Sequence, residues 1–305
     1  MSSQTMRGPV AALGVFDGVH LGHRRILEQT VLRARTLHTE SLVLTFEPHP
    51  LVVLGGRVPK LINSLTERRR LIHSCGVDRV LVEPFTPEYA AMEPQAFFEQ
   101  ILVGKVMMQE IVVGYDYTFG RGGRGDVRTL RTLGDQHGIK VLSVPPVEID
   151  GVKVSSTVIR NLIANGRLRQ VADLLGRPFY LVGTVIYGDG RARRWQVPTA
   201  NLRIPGEMLI PKDGVYVASV DLGAAPDTGT KLPAIVSIGS KPTFAGKERA
   251  IEVHVLDQQL DLYDDEITVY FYDYLRSQCR FNSEAELFEQ IRRDVEVVRA
   301  FFGRR

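Results

Sequence analysis

VAALGVFDGVHLGHRRILEQTVLRARTLHTESLVLTF, residues Val10–Phe46, decides how the first part of this chain must fold. The apolar run Val10–Val15 enters a glycine-bearing turn, Gly14-Val15-Phe16-Asp17-Gly18-Val19-His20-Leu21-Gly22-His23. Helical spacing follows over Leu21–Thr36, then a second apolar run over Ser41–Phe46. A strand, a helix and a second strand in this order make a βα alternation, which implies parallel strands joined by a helical crossover. Glycines at the turn let backbone approach a phosphate, and the helix amide end favours negative charge. Two imidazoles three residues apart can donate hydrogen bonds to a triphosphate. Alone, a His-x-x-His pair has competing readings, a metal pair or, in roughly half of cases, two structural histidines. Its place between strand and helix favours the phosphate reading.

The alternation continues through RVLVEP (Arg79–Pro84), EIVVGY (Glu110–Tyr115) and IKVLSV (Ile139–Val144). Pro94 opens a helical stretch over Pro94–Val103, where its missing amide costs little. Repeated βα units predict a parallel sheet with helices on both faces. After the helical segment Leu168–Leu175, Gly176 and Pro178 stop the helix and the texture changes. FYLVGTVIY, GVYVASV, LPAIVSI, AIEVHVL and EITVYFY are closely spaced strands, an antiparallel barrel or sandwich. The final segment opens with Ser283 and Glu286 in a capping-box pattern, then places Leu287, Ile291, Val295 and Val298 at helical spacing. The boundary falls near 178, giving domains 1–178 and 179–305.

The chain has 305 residues, 44% hydrophobic and 24% charged, with a mean hydropathy of -0.04, which excludes a disordered or fibrous class. Its 38 basic against 35 acidic residues leave a net charge of +3, too small to bind nucleic acid or membrane by charge alone. Cys75 and Cys279 are too few for a zinc set or a disulfide framework. No signal-peptide pattern and no run of 18 apolar residues is present, so the expected compartment is the cytoplasm, without membrane or nucleic-acid partners.

A second signal stands at Val154-Ser155-Ser156-Thr157-Val158-Ile159-Arg160. Ser156 or Thr157 can cap the helix that follows. Free amides there, with Arg160 one turn in, also make a second phosphate clamp. Together the two signals resemble the His-x-Gly-His nucleotidyltransferase superfamily, whose members hold ATP for in-line attack on the α-phosphorus. With Phe46-Glu47-Pro48-His49-Pro50 and Gly114–Gly120 followed by Arg121–Asp126, the order of motifs is similar to the adenylyltransferase half of bacterial bifunctional riboflavin kinase/FAD synthetases. The resemblance implies a Rossmann-like α/β domain. It implies ATP binding by Gly14, Phe16, Asp17, His20, His23, Ser156, Thr157 and Arg160, with His20, His23 and Arg160 catalytic. Phe46, His49, Asp116 and Phe119 would bind flavin or nucleotide.

In the second half, Gly183–Tyr187 leads into GDGRARRWQVPTAN, Gly188–Asn201. A Gly-containing turn followed by cations can cradle phosphate. A hydroxyl and an amide two residues apart on a strand face one side, suited to a metal and phosphate oxygens. Pro-Thr-Ala-Asn resembles the metal-binding signature of riboflavin kinases. Further likeness follows in order at Pro211–Tyr216, Ser237–Phe244, Glu252–Asp257, Leu262-Tyr263 and Phe281. The resemblance implies a smaller antiparallel β-barrel kinase domain with a C-terminal helix. In it Gly188, Gly190, Arg191 and Thr199 hold ATP phosphates, Thr199 and Asn201 hold Mg²⁺, and Glu252 accepts the riboflavin hydroxyl proton. By strand pattern alone, Glu252 is simply an outward residue, since Ile251, Val253 and Val255 take the other face. The chain departs from the family loop at Ala192 and at Trp195-Gln196-Val197, where glycines usually stand at two positions; if either glycine has positive φ or lets backbone approach phosphate, a Cβ there costs about 1 to 2 kcal/mol and narrows the ATP site.

Other stretches have blander readings. Gly120–Asp126 is an embedded phosphate-covering loop rather than an RNA-binding tail. Arg68-Arg69-Arg70 is the solvated face of a helix. Phe46 and Phe119 are core by default. The function expected is thus phosphorylation of riboflavin to FMN and adenylylation of FMN to FAD, with ATP as co-substrate. The alternative is an FMN adenylyltransferase whose β domain binds flavin without kinase activity.

Overall fold

A computed structural model describes residues 8–56, 58–186, 199–223, 225–243, 246–258, 262–279 and 281–303. Contacts divide the chain into two compact units, Met1–Val158 and Ile159–Arg305.

In the first unit β1 (Val10–Leu13), β2 (Ser41–Glu47) and β3 (Arg79–Pro84) alternate with α1 (Leu21–Leu37), α2 (Pro50–Val53) and α3 (Leu65–Ser74). α4 (Pro87–Ala90) and α5 (Pro94–Phe97) precede a π-helical segment, Phe98–Lys105, so the stretch predicted as one helix from Pro94 widens partway. The adjacent rings Phe97 and Phe98, both buried, sit at that transition. β4 (Glu110–Gly114), α6 (Val127–His137) and β5 (Lys140–Val144) complete a parallel sheet in the order β3-β2-β1-β4-β5. A two-residue hairpin, β6 (Glu148–Ile149) and β7 (Val152–Lys153), leads to α7 (Ser156–Ala164).

β1 is buried throughout, as a central strand covered on both faces must be. Ala11 and Leu13 enter the core with Phe97, Phe98 and Leu130, while Val10 and Ala12 meet Leu27 and Val31 of α1 on the opposite side. Strand order reverses at β1, so the carboxyl ends of β1 and β4 open the crevice where α/β sheets bind ligands.

The second unit contains α8 (Leu168–Leu175), β8 (Phe179–Ile186), β9 (Ala200–Arg203), β10 (Gly214–Asp221), β11 (Lys231–Thr243), β12 (Gly246–Val255), β13 (Glu266–Arg276) and α9 (Glu284–Gly303). The strands close as β10-β11-β12-β9-β8-β13, a six-stranded barrel whose neighbours are all antiparallel. Closure settles barrel against sandwich: the short β9 bridges β12 and β8 and removes the open edge. β10 is buried on both faces because its outer residues Val215 and Val217 lie under α9, against Val298. α9 starts as its capping residues predict, with the Glu286 amide donating to Ser283 Oγ at 3.2 Å and Glu286 Oε2 accepting from the Asn282 amide at 3.0 Å. No helix among the described residues is long and apolar enough to cross a membrane.

Candidate active sites

The turn after β1 is built under strain. Phe16 (φ 56°), Gly18 (φ 89°) and Val19 (φ 40°) all take left-handed backbone. For a β-branched valine that conformation is held by packing, and Val19 and Phe16 are both buried. The turn delivers His20 to the N-cap of α1, 5% exposed, where its Nδ1 accepts from the His23 amide at 3.2 Å. In the neutral ring that bond puts the proton on Nε2. The His20 and His23 rings stack at 3.6 Å and 17°, and the Phe16 ring meets His23 edge-on at 5.2 Å. Gly22 leaves room for this arrangement, since a Cβ there would press on His20 Cε1 at 3.1 Å.

Asp17 is 2% exposed, and its carboxylate accepts from the amides of Ile62 and Asn63 at 3.0 to 3.2 Å. Its side chain thus fastens the loop before α3, while its carbonyl accepts from Ser156 Oγ at 2.9 Å. Ser155 performs the capping expected of Ser156 or Thr157, its Oγ accepting from the Val158 amide at 3.3 Å. That leaves Ser156 for the Asp17 carbonyl and Thr157 exposed on the first turn, with Arg160 one turn further along α7. The two phosphate signals are therefore joined by a direct bond.

At the end of β2, Phe46 is buried and His49 caps α2, with Nδ1 accepting from the Leu51 amide at 3.2 Å. Asp116, beyond β4, is exposed and pairs with Lys153 at 3.4 Å; Lys153 also lies 4.4 Å from the Tyr115 ring centre. Phe46 and Phe119 are linked by rings that sequence reasoning passed over as ordinary core. Phe46 contacts Phe85 and Tyr89, Tyr89 contacts Phe97, and Phe97 contacts Phe119, all at 5.5 to 5.8 Å. Burial pushes the Tyr89 and Tyr117 phenols above their ordinary range, so they stay neutral. The loop after Phe119 turns through Arg121–Gly123, and Arg121 and Arg124 reach Glu93 at 3.6 and 3.5 Å.

The arginine run is not a uniformly solvated face. Of Arg68-Arg69-Arg70, Arg69 is exposed and Arg70 half-buried, but Arg68 is 1% exposed. It stands on the same stripe of α3 as the buried Leu71 and Ile72, because residues three and four apart share a helix face.

In the barrel, Asn201 of β9 lies directly across from Glu252 of β12, and Glu252 directly across from Ser237 of β11. Directly opposed residues project to one face with Cβ atoms roughly 4.5 to 5.5 Å apart. Leu202, Val253 and Val236 take the buried alternate positions, so Asn201, Glu252 and Ser237 form a row on the outer face, with Thr199 two residues before Asn201. Gln278, which carried no motif signal, donates from Nε2 to Ser237 Oγ at 3.1 Å and lies across Gly239, where a Cβ would collide with its carboxamide. Its segment is held by Arg276, whose guanidinium grips Asp294 of α9 at 2.7 to 3.1 Å. That hydrogen-bonded carboxylate raises the arginine pKa. Gly188, Gly190, Arg191, Ala192 and Trp195-Gln196-Val197 lie outside the described residues. A separate hollow of about 470 Å³, lined by Arg169, Asp173, Arg177, Tyr272 and Phe301 among others, contains none of the row.

Residues 2–158 match the family model described as FAD synthetase, and residues 175–302 the model described as riboflavin kinase. The chain is 36% identical over 305 residues to a bifunctional riboflavin kinase/FMN adenylyltransferase of Escherichia coli (strain K12), covering 99% of this chain and 96% of that protein. With the protein so named from Bacillus subtilis (strain 168) it shares 34% over 301 residues, covering 96% and 92%. A crystal structure described as a macrolide-efflux protein from Streptococcus pneumoniae superposes with a TM-score of 0.87 at 32% identity, covering 96% of this chain and 94% of that one.

Proposed function

Because the chain belongs to the family of bifunctional riboflavin kinase/FMN adenylyltransferases, a transferase that makes FMN from riboflavin and FAD from FMN, we propose how its own residues carry the two reactions. Adenylyl transfer is assigned to the turn after β1 and the start of α7. His20, through Nε2, and His23 donate to the phosphates of ATP. Ser156, Thr157 and the first amides of α7 take further phosphate oxygens, and Arg160 adds charge. The FMN phosphate attacks the α-phosphorus in line and pyrophosphate leaves, so the protein's part is to align the two anions and hold the growing charge. The carrying observation is the Ser156 bond to the Asp17 carbonyl, which locks the two phosphate-binding segments together. Gly14 and Phe16 shape the turn. Phe46, His49, Asp116 and Phe119 form the flavin side, with the ring series between Phe46 and Phe119 as its wall.

Kinase activity is assigned to the outer row of the barrel. Glu252 accepts the proton of riboflavin's terminal ribityl hydroxyl as its oxygen attacks the γ-phosphorus of ATP, and Thr199 and Asn201 hold phosphate oxygens. The Thr199 hydroxyl and Asn201 amide oxygen are hard donors that suit Mg²⁺, a cation that takes few protein ligands and completes its shell with phosphate and water. When bound there, Mg²⁺ would neutralise phosphate charge. Supporting this assignment is the register that sets Asn201 beside Glu252.

The division of labour is placed at residue 178, between domains 1–178 and 179–305, and the compartment at the cytoplasm, consistent with Cys75 and Cys279 as free thiols. Purified protein supplied with riboflavin, ATP and Mg²⁺, with FMN and FAD resolved chromatographically, tests the whole assignment. Both products should form, and FAD should form from supplied FMN when the kinase row is mutated.

A further inference from the structure

Arg68 occupies a place where a leucine or methionine would be cheaper. It lies on the core-facing stripe of α3, 1% exposed, in line with Leu71 and Ile72. Its Nη2 donates to the carbonyl of Phe46 at 3.3 Å and to Glu47 Oε2 at 2.8 Å. Its Nε and Nη1 are buried and find no hydrogen-bond partner among the described residues. A buried guanidinium with two donors unmet is costly to fold, and it is offset here only by the bonds its remaining nitrogen makes. Its retention is explained by what the one bonded nitrogen holds: two consecutive residues at the carboxyl end of β2, where the strand turns into Pro48, His49 and Pro50.

We infer that Arg68 is a positioning residue for FMN in adenylyl transfer, an inference that rests on the flavin assignment of Phe46 and His49. By gripping the Phe46 carbonyl and the Glu47 carboxylate together, it sets the direction in which the chain leaves β2, and with it the placement of the Phe46 ring and the His49 cap. It also cancels a charge. The Glu47 side chain is 39% exposed, a carboxylate at the strand end where two anionic substrates must meet. Paired with Arg68 it presents no net repulsion to them. The bonds that shape the ATP side, His23 to His20 and Ser156 to Asp17, do not involve Arg68, so its effect falls on the flavin substrate.

The test compares wild type with Arg68→Met and Arg68→Lys in the full-length chain. The readouts are KM for FMN, KM for ATP and kcat of FAD formation, together with FMN formation from riboflavin and Tm. Arg68→Met should raise KM for FMN about tenfold or more, with KM for ATP within about twofold of wild type and FMN formation unchanged, whatever the change in Tm. Arg68→Lys retains the charge and one donor nitrogen but on a shorter side chain, and should fall between wild type and Arg68→Met. An unchanged FMN dependence in Arg68→Met overturns the inference. So does a fall in Tm with KM for FMN and ATP altered alike in both variants, the mark of a purely structural residue. Wild-type protein that makes no FAD from FMN overturns the functional assignment itself, and this inference with it.

Discussion

The Ser156 hydroxyl donates to the Asp17 carbonyl across 2.9 Å, joining residues 139 positions apart. The bond fixes the start of α7 against the turn that carries His20 and His23, so the two segments to which phosphate binding is assigned move as one. Ser156→Ala removes it while leaving the helix cap, which Ser155 supplies. The expected outcome is a roughly five- to tenfold rise in KM for ATP in FAD formation, about what one hydrogen bond of roughly 1 kcal/mol is worth. Steady-state kinetics with FMN supplied should show this, with FMN formation from riboflavin unaltered.

His20→Ala and His23→Ala should each lower FAD formation by about 10²-fold, because each loses a donor to charge that grows in the transition state. Because His20 also caps α1 through the His23 amide, His20→Asn, which can still accept that bond, should restore stability without restoring rate. Thermal unfolding beside turnover separates the two roles.

Glu252→Gln keeps the shape of the side chain and removes its capacity to take a proton. Turnover of riboflavin should fall much more than riboflavin affinity, while supplied FMN is still converted to FAD. Asn201→Asp and Thr199→Ala should also impair FMN formation, with a response to Mg²⁺ concentration that Glu252→Gln lacks.

α8 buries Leu168, Val171, Leu174 and Leu175 and packs on β8 and β13 of the barrel. A barrel fragment that starts at 179 exposes the strand face α8 covers. We expect residues 159–305 to be soluble and to make FMN, and 179–305 to unfold at a lower temperature. Residues 1–178, which retain all of α7, should make FAD from FMN. Calorimetry and activity of the three fragments check the division.

Asp78 accepts from the Ser41 hydroxyl at 2.6 Å and from the Ser41 amide at 2.8 Å, tying β2 to the start of β3. These bonds hold its carboxyl below the usual range, the hydroxyl contributing most. A lowered folded pKa means stability that is present above the ordinary carboxylate pKa and lost as pH falls through the folded value. Asp78→Asn should therefore lower Tm at about pH 7, and the difference should shrink below about pH 4, as a pH series of melting curves would show.

Strand and helix periodicity, the change of texture after Leu175 and the ordered motifs were enough to read both halves of the chain, because alternation of apolar residues and glycine turns are local properties. The Val10–His23 stretch already contains its strand, its turn and its helix start. What local pattern could not tell was whether the second half closes as a barrel or packs as a sandwich. That rests on β9, four residues whose pairing with both β8 and β12 exists only in three dimensions.

Side-chain environments were the other matter left to tertiary structure. Three consecutive arginines read as a charged helix face, since charge normally seeks water, yet helix phase turns Arg68 inward while Arg69 stays outside. Gln278 has no motif to mark it, and reaches Ser237 because Arg276 and Asp294 hold its segment against α9. The sequence by itself determined the order of elements, the family and the residue types that can handle phosphate, all carried by neighbours along the chain. Only the tertiary structure decided which polar groups are spent on the fold, because hydrogen bonds such as Ser156 to Asp17 are made between residues that sequence places far apart.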